Sequence, residues 1–245
     1  MLLLLVLFVI LATALSVQYA TYLDTSNALT TQQPHPLQNT HYFASKSTLL
    51  NTIFLKRAWA WTSAVSFAHL FTSPVCTYRA RRIAQYMLAT CCWLLVAQGI
   101  GGPSLIEHVA IATGGQCVLH LPPPHLYIIL PNFYCRERIR VSFLSHSHLL
   151  PAPLTIIPAQ ASDETWSSIP RIRNGHDISG HIFLLTLSIM VLFDHLTATA
   201  RRKWTLAHMV GVMASAALLL TWLVAVGTTS LYFHSPLEKI SGLCE

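Results

Sequence analysis

Leu206–Ser230 reads LAHMVGVMASAALLLTWLVAVGTTS, an unbroken apolar run with no Asp, Glu, Lys or Arg. A helix that crosses the hydrocarbon of a bilayer needs about 20 mainly apolar residues, so this run is long enough to span one. The run before it, Ile182–Leu196 (IFLLTLSIMVLFDHL), is separated from it by a short link holding Arg201, Arg202 and Lys203. Two spans joined by so short a link must be antiparallel. The start of the first and the end of the second therefore meet at one membrane face. The start is marked by His176-Asp177-Ile178-Ser179-Gly180-His181, the end by Tyr232-Phe233-His234-Ser235-Pro236-Leu237-Glu238-Lys239. His181 and His234 are thus expected at one level, whichever way the chain is oriented.

Three further runs qualify as spans: Met1–Tyr22, Ala58–Ser73 and Ile83–Ile100. The expected fold is an all-α polytopic membrane protein of about five transmembrane helices, a single membrane domain over residues 1–245. A secretory signal is the competing reading of Met1–Tyr22, with Ala-Thr-Ala-Leu-Ser at 12–16 as a cleavage region. The missing basic start and the long apolar core favour a retained span. Arg79, Arg81 and Arg82 fall in the link between spans two and three, on the same side as Arg201, Arg202 and Lys203. The positive-inside rule makes that side cytosolic. Lys46, Lys56 and Arg57 lie on the other side and weigh against that count, whereas the 102–178 loop is too long for its arginines to matter. The expectation is a cytosolic N-terminus and a long luminal loop.

Composition agrees with lipid as the solvent. Hydrophobic residues make up 53% of the chain and charged residues 10%, against about a quarter charged in soluble domains. The net charge of +6 is not arranged as a basic stripe interleaved with aromatics, so no nucleic-acid partner is expected. Cys91 and Cys92 lie in an apolar run and read as small buried hydrophobes. Cys117 and Cys135 share a polar loop and can pair if it faces an oxidising lumen; two free thiols are the alternative. Residues 118–178 include Pro122-Pro123-Pro124 and a Ser/Pro/Thr-rich stretch through Pro170, and read as loop with no sustained helical period.

Histidine is the side chain best suited to proton transfer near neutral pH, and its imidazole can attack phosphorus to form a covalent intermediate. One histidine as nucleophile and a second as acid suffice for metal-free phosphoester cleavage. Ser179 and Gly180 fit such a site, since glycine permits close approach and amides at a helix start donate to phosphate oxygens. Asp177 either orients a histidine or caps the following helix. Glu238 lies four residues after His234, a spacing that brings carboxylate to imidazole; Ser235-Pro236-Leu237-Glu238 reads equally as a capping box. Lys239 either neutralises phosphate or snorkels. Arg171 and Arg173 precede the histidine motif and are candidates for an anionic head group. Arg136, Arg138 and Arg140 alternate, and on a strand would share a face. His176 reads as loop. His120, His125, His146 and His148 lack acidic or cysteine partners at ligand spacing, so no metal site is expected.

Four segments resemble the fat-storage-inducing transmembrane (FIT) family, especially its fungal members. They are Ser47–Thr62, with Leu50-Asn51-Thr52 and Lys56-Arg57-Ala58-Trp59-Ala60-Trp61-Thr62; Gly101–Cys117; and the two histidine motifs, Gly175–Leu185 and Tyr232–Gly242. The last two are the specific ones. The resemblance implies a relative of the lipid phosphate phosphatases in the endoplasmic reticulum membrane. Its implied activity is luminal, splitting fatty acyl-CoA into acyl-4′-phosphopantetheine and adenosine 3′,5′-bisphosphate without cofactor or metal. It further implies roles in lipid-droplet formation, phospholipid biosynthesis and endoplasmic reticulum homeostasis, with diacylglycerol or triacylglycerol as further lipid contacts. Carried onto this chain, His181 would protonate the leaving group and His234 would attack phosphorus. A non-enzymatic protein that binds and partitions neutral lipid is the alternative, and a phosphatase for lipid phosphate monoesters is another. The chain departs from the pattern in three ways. The Lys/Arg-Pro and Ser-Arg motifs of the classical phosphatases are not evident, leaving the phosphate-binding cations unassigned. Residues 118–170 match poorly and read as an insertion. Family members continue into a sixth span, whereas this sequence stops at Glu245.

Overall fold

The computed structural model describes residues 1–23, 34–73, 79–99, 102–121, 126–142, 145–149, 167–199 and 205–244. Arg201, Arg202 and Lys203, the triple proline at 122–124, His125 and most of the Ser/Pro/Thr-rich stretch lie outside these. The two runs that opened the sequence argument form the long helices, numbered here in chain order: α6 is Gly180–Thr199 and α7 is Leu206–Tyr232. Among the described residues these two are long and apolar enough to cross a membrane. α1 (Leu2–Gln18) is apolar but shorter. α2 (Ala58–Thr72) is preceded by a π-turn at Leu50–Phe54 and a 3-10 turn at Leu55–Arg57, and α3 (Arg79–Trp93) runs on into a π-turn at Leu94–Gln98.

Helical period explains the packing. Ile182, Leu185, Ile189 and Leu192 recur at three- and four-residue steps along one face of α6, and Leu218, Trp222, Ala225 and Val226 do so on α7. Both stripes are buried in one core with Leu5 and Val9 of α1 and with Leu55 and Ala58. The uncovered faces of α1 and α7 are equally apolar yet exposed: Leu3 is 74% exposed and Leu206 78%. A helix that is apolar on its uncovered face suits lipid rather than water. Some polar side chains inside the bundle pair across helices, a contact favoured where no water reaches them. The Trp222 indole N–H donates to Thr62 Oγ1 at 3.1 Å, joining α7 to α2, and His69 Nδ1 lies 3.3 Å from Ser215 Oγ.

The fold is mostly helical rather than all-α. The segment between α3 and α6 carries a short helix, α4 (Leu105–Ala112), started by a complete capping box between Ser104 and Glu107. It then forms an antiparallel sheet in the order β2 (Leu126–Leu130), β1 (Gln116–Leu121), β5 (Arg171–Arg173), with a second ribbon of β3 (Val141–Ser142) and β4 (Ser167–Ser168). The strands form because Cys117, Leu119 and Leu121 point to one side and pack with Leu130, Cys135 and Val141 in a small core of their own. The Cys117–Cys135 disulfide closes that core. Arg136 ends a one-turn helix, α5 (Asn132–Arg136), and Arg138 takes a left-handed φ of 51°. The three alternating arginines therefore make no strand face.

Candidate active site

The His176–His181 loop is held from both sides before it enters α6. Below it, the His176 amide donates to Thr113 Oγ1 at 2.7 Å, just past the end of α4. Gly175 presses on the same helix: a Cβ there would stand 2.1 Å from the Ala110 carbonyl oxygen, so only glycine fits. Above it lies α8 (Pro236–Cys244). The Ser179 amide donates to the Glu238 carbonyl at 3.1 Å, and His176 Nε2 lies 2.9 Å from Ser241 Oγ. Ser179, fully buried, caps α6 by accepting from the Ile182 amide. That settles one alternative left open by the sequence, because Ser179 and not Asp177 is the cap. Gly180 packs against Ile106 of α4.

His234 reaches the same place from the other end of the pair. α7 stops at Tyr232, Phe233 is extended, and His234 adopts a left-handed φ of 62°. Non-glycine residues rarely hold that conformation, and it gathers where function fixes a side chain. The turn is pinned by the segment after α1: the Leu23 amide donates to the Tyr232 carbonyl and the Thr21 hydroxyl to the Leu231 carbonyl. His35 adds a clamp. Its Nδ1 accepts from the Leu37 amide, so Nε2 carries the proton and faces the Thr21 and Tyr232 carbonyls at 3.0 Å. Burial holds the His35 ring below its ordinary pKa, consistent with this neutral form. Pro236 then starts α8, and Glu238 Oε2 both accepts from the Ser235 amide at 2.8 Å and lies 3.4 Å from His234 Nδ1. One oxygen thus makes the capping contact and the imidazole contact. The latter is an ion-pair distance rather than an aligned hydrogen bond, and it leaves Nε2 as the ring nitrogen for a substrate.

Between these histidines lies a cavity of about 310 Å³, lined by His181, His234 and Asp177. Its far wall comes from residues that the sequence reading treated only as charge and family pattern. Asn51 sits in the Leu50–Phe54 π-turn and donates from Nδ2 to the Lys46 carbonyl at 2.6 Å. Lys46 and Lys56 line the same cavity, both exposed, with Ser45, Thr48 and Asn51 beside them. Leu23, Phe43, Leu50, Leu55 and Phe233 supply an apolar lining. Two imidazoles, one carboxylate, two cations and an apolar wall suit an amphipathic ester with charged phosphates.

Burial raises the Asp177 carboxyl above its ordinary pKa and Glu238 adds to the rise, while His234, Arg173 and His176 oppose it. Burial, with Arg173 repelling from nearby, draws the Lys46 ammonium down. The Asp177 shift has two consequences of opposite sign. An acid whose pKa is raised by folding penalises the native state, increasingly as pH climbs from its unfolded value through its folded one. Asp177→Asn is therefore expected to raise the melting temperature at neutral pH and leave it unchanged below the unfolded pKa. Activity is expected to fall by at least about tenfold, because His234 loses a neighbouring carboxylate. Thermal unfolding in detergent at both pH values, with initial rates, checks both signs.

The remaining sequence candidates fall elsewhere. Lys239, proposed there as a phosphate contact, is fully buried. Its Nζ donates to Ser16 Oγ at 3.0 Å and to the Ser230 carbonyl at 2.7 Å, with the Tyr22 ring 5.3 Å away. It ties α8 to α1 and α7 and does not line the cavity. Arg171 and Arg173 form β5; Arg173 stands behind Asp177 and Lys46 rather than in the cavity lining.

A family model described as fat storage-inducing transmembrane protein matches residues 39–211, well over half of the chain, and reaches His181 but not His234. Among curated proteins, the acyl-coenzyme A diphosphatase fit1 of Schizosaccharomyces pombe is 29% identical over 203 residues, covering 83% of this chain and 68% of that one. The acyl-coenzyme A diphosphatase FITM2 of Homo sapiens is 23% identical over 212 residues, covering 82% and 67%, and the Sus scrofa protein of that name is 24% identical over the same shares. No solved structure matches the chain. Because that family model covers well over half of its length, this chain belongs to the fat storage-inducing transmembrane protein family.

Proposed function

We propose that this protein is an acyl-CoA diphosphatase of the endoplasmic reticulum membrane. It takes a fatty acyl-CoA and releases acyl-4′-phosphopantetheine and adenosine 3′,5′-bisphosphate, in support of lipid-droplet formation, phospholipid biosynthesis and endoplasmic reticulum homeostasis. The observation that carries this reading is the single cavity holding His181, His234 and Asp177 against an apolar wall. Relatives at moderate identity that are named acyl-coenzyme A diphosphatases supply the substrate class.

In this reading the chain makes five spans, from α1, α2 with its preceding turns, α3 with its π-turn, α6 and α7. Residues 118–170 are an insertion on the luminal side. The disulfide between Cys117 and Cys135 supports that side being oxidising, and Arg82, beside His195 near the opposite end of α6, agrees with a cytosolic face there. The N-terminus is then cytosolic. The acyl chain lies among the helices, and the diphosphate enters the cavity.

His234 Nε2 attacks one phosphorus of the diphosphate, forming an N–P bond as the bridging P–O bond breaks. His181 gives its proton to the departing oxygen. The now neutral His181 takes a proton from water, which attacks the phosphohistidine and releases the second phosphate monoester. Glu238 and Asp177 hold the His234 ring and favour its cationic, phosphorylated form. Ser179 and Gly180 bring the loop close to α4 and α8 and start the helix that carries His181 into the cavity.

Product analysis tests the assignment. Purified protein in liposomes, given palmitoyl-CoA, is expected to yield palmitoyl-4′-phosphopantetheine and adenosine 3′,5′-bisphosphate in equal amounts by mass spectrometry. Free coenzyme A would mean thioester cleavage. Inorganic phosphate from lipid phosphate monoesters, with acyl-CoA untouched, would replace this reading with a monoesterase. No release from either substrate would leave neutral-lipid binding as the function.

A further inference from the structure

The cavity of about 310 Å³ stands at the small end of sites that enclose a whole ligand, roughly 300 to 1,000 Å³. A cavity of that size does not enclose a whole coenzyme A head group, so with the diphosphate between His181 and His234 the nucleoside projects toward the exposed rim. Lys46 and Lys56 line that cavity and are exposed. Their placement is built rather than incidental. The Asn51 side chain fixes the Lys46 carbonyl, the Asn51 amide donates to Thr48 Oγ1, and Lys56 sits in the 3-10 turn that leads into α2. Asp177 supplies the one carboxylate of the lining, and it faces His234. The mouth is therefore cationic. Along a coenzyme A head group, each bridging phosphate carries a single negative charge, whereas the 3′-phosphate is a monoester with close to two. Flexible lysine stems with point charges suit a phosphate that swings at a cavity mouth.

We infer that Lys46 and Lys56 form a subsite for the 3′-phosphate of the nucleotide, by which the protein distinguishes coenzyme A thioesters from diphosphates that lack it. This rests on the diphosphatase reading and names the part of the substrate that selects it. The lysines are positioning residues: they hold the nucleotide end and leave bond cleavage to the histidines.

The test compares palmitoyl-CoA with palmitoyl-dephospho-CoA, which differs only in the 3′-phosphate. Wild-type protein in liposomes is expected to prefer palmitoyl-CoA by about tenfold to a hundredfold in kcat/KM, the range of charge-assisted contacts. Lys46→Gln and Lys56→Gln are each expected to lower kcat/KM for palmitoyl-CoA by about tenfold, mainly through KM. The double variant is expected to treat the two substrates alike to within about threefold. Lys46→Arg with Lys56→Arg is expected to keep the preference, which a role in folding alone would not explain. Equal cleavage of both substrates by the wild type, or an unchanged preference in the double variant, would overturn the subsite and leave the diphosphatase standing. Cleavage of neither substrate would remove both.

Discussion

His234→Ala protein is expected to cleave no diphosphate at all, whereas His181→Ala protein is expected to recover its first step when the leaving group needs no proton. The two imidazoles share one cavity but are asked for different chemistry. Without His234 there is no atom to accept the phosphoryl group, and the rate falls to background for every substrate. Without His181 the leaving oxygen departs unprotonated, a loss of about 10²- to 10⁴-fold on acyl-CoA. A substrate whose leaving group is already stable as an anion, such as a nitrophenolate, bypasses that need. His181→Ala protein is then expected to give a burst of one nitrophenolate per protein and stop, because hydrolysis of the phosphohistidine has lost its base. Rapid-quench kinetics with intact-protein mass measure both. A burst from His234→Ala, or none from His181→Ala, would reverse or remove the assigned roles.

Gly175→Ala is expected to lower kcat by at least about a hundredfold while the protein remains folded. The added Cβ would lie 2.1 Å from the Ala110 carbonyl oxygen, far inside contact distance, and the atom it meets is backbone. α4 cannot yield easily, since its start is fixed by the Ser104–Glu107 capping box and its end by the Gly115 amide donating to that same carbonyl. The His176–His181 loop must move instead, and His181 and Asp177 move with it. Misplacement by about 1 Å is enough for a loss of this size. Gly102→Ala is the control, because nothing lies within 4 Å of its added Cβ, and it is expected to keep full activity. Size-exclusion profiles and rates for both variants decide; full activity in Gly175→Ala would mean the loop is not held as described.

What sequence alone revealed follows from the kind of signal each part carries. The antiparallel pair was legible because its two long apolar runs have one reading at that length, and the meeting of His181 and His234 follows from their direction. The sheet was not legible. Cys117–Leu121 and Leu126–Leu130 are short apolar stretches, which periodicity cannot separate from buried helix or loop, and the disulfide depends on a geometry that only the folded hairpin supplies. Lys239 was misjudged by adjacency. Neighbours on a helix face different directions, so while Glu238 meets His234, Lys239 turns toward Ser16 and Ser230. The far wall was hidden for a further reason. Lys46, Asn51 and Lys56 precede the histidines by more than a hundred residues, and a π-turn has no sequence period. The two lysines that disturbed the charge count used for orientation are the cations of the cavity.

The most direct measurement is adenosine 3′,5′-bisphosphate release from palmitoyl-CoA by wild-type, His181→Ala and His234→Ala proteins, purified and placed in identical liposomes. The account predicts release by the wild type, a trace from His181→Ala and none from His234→Ala, with all three showing the same melting behaviour. Equal release from the three would contradict it and make the histidines bystanders to a cleavage that arises elsewhere.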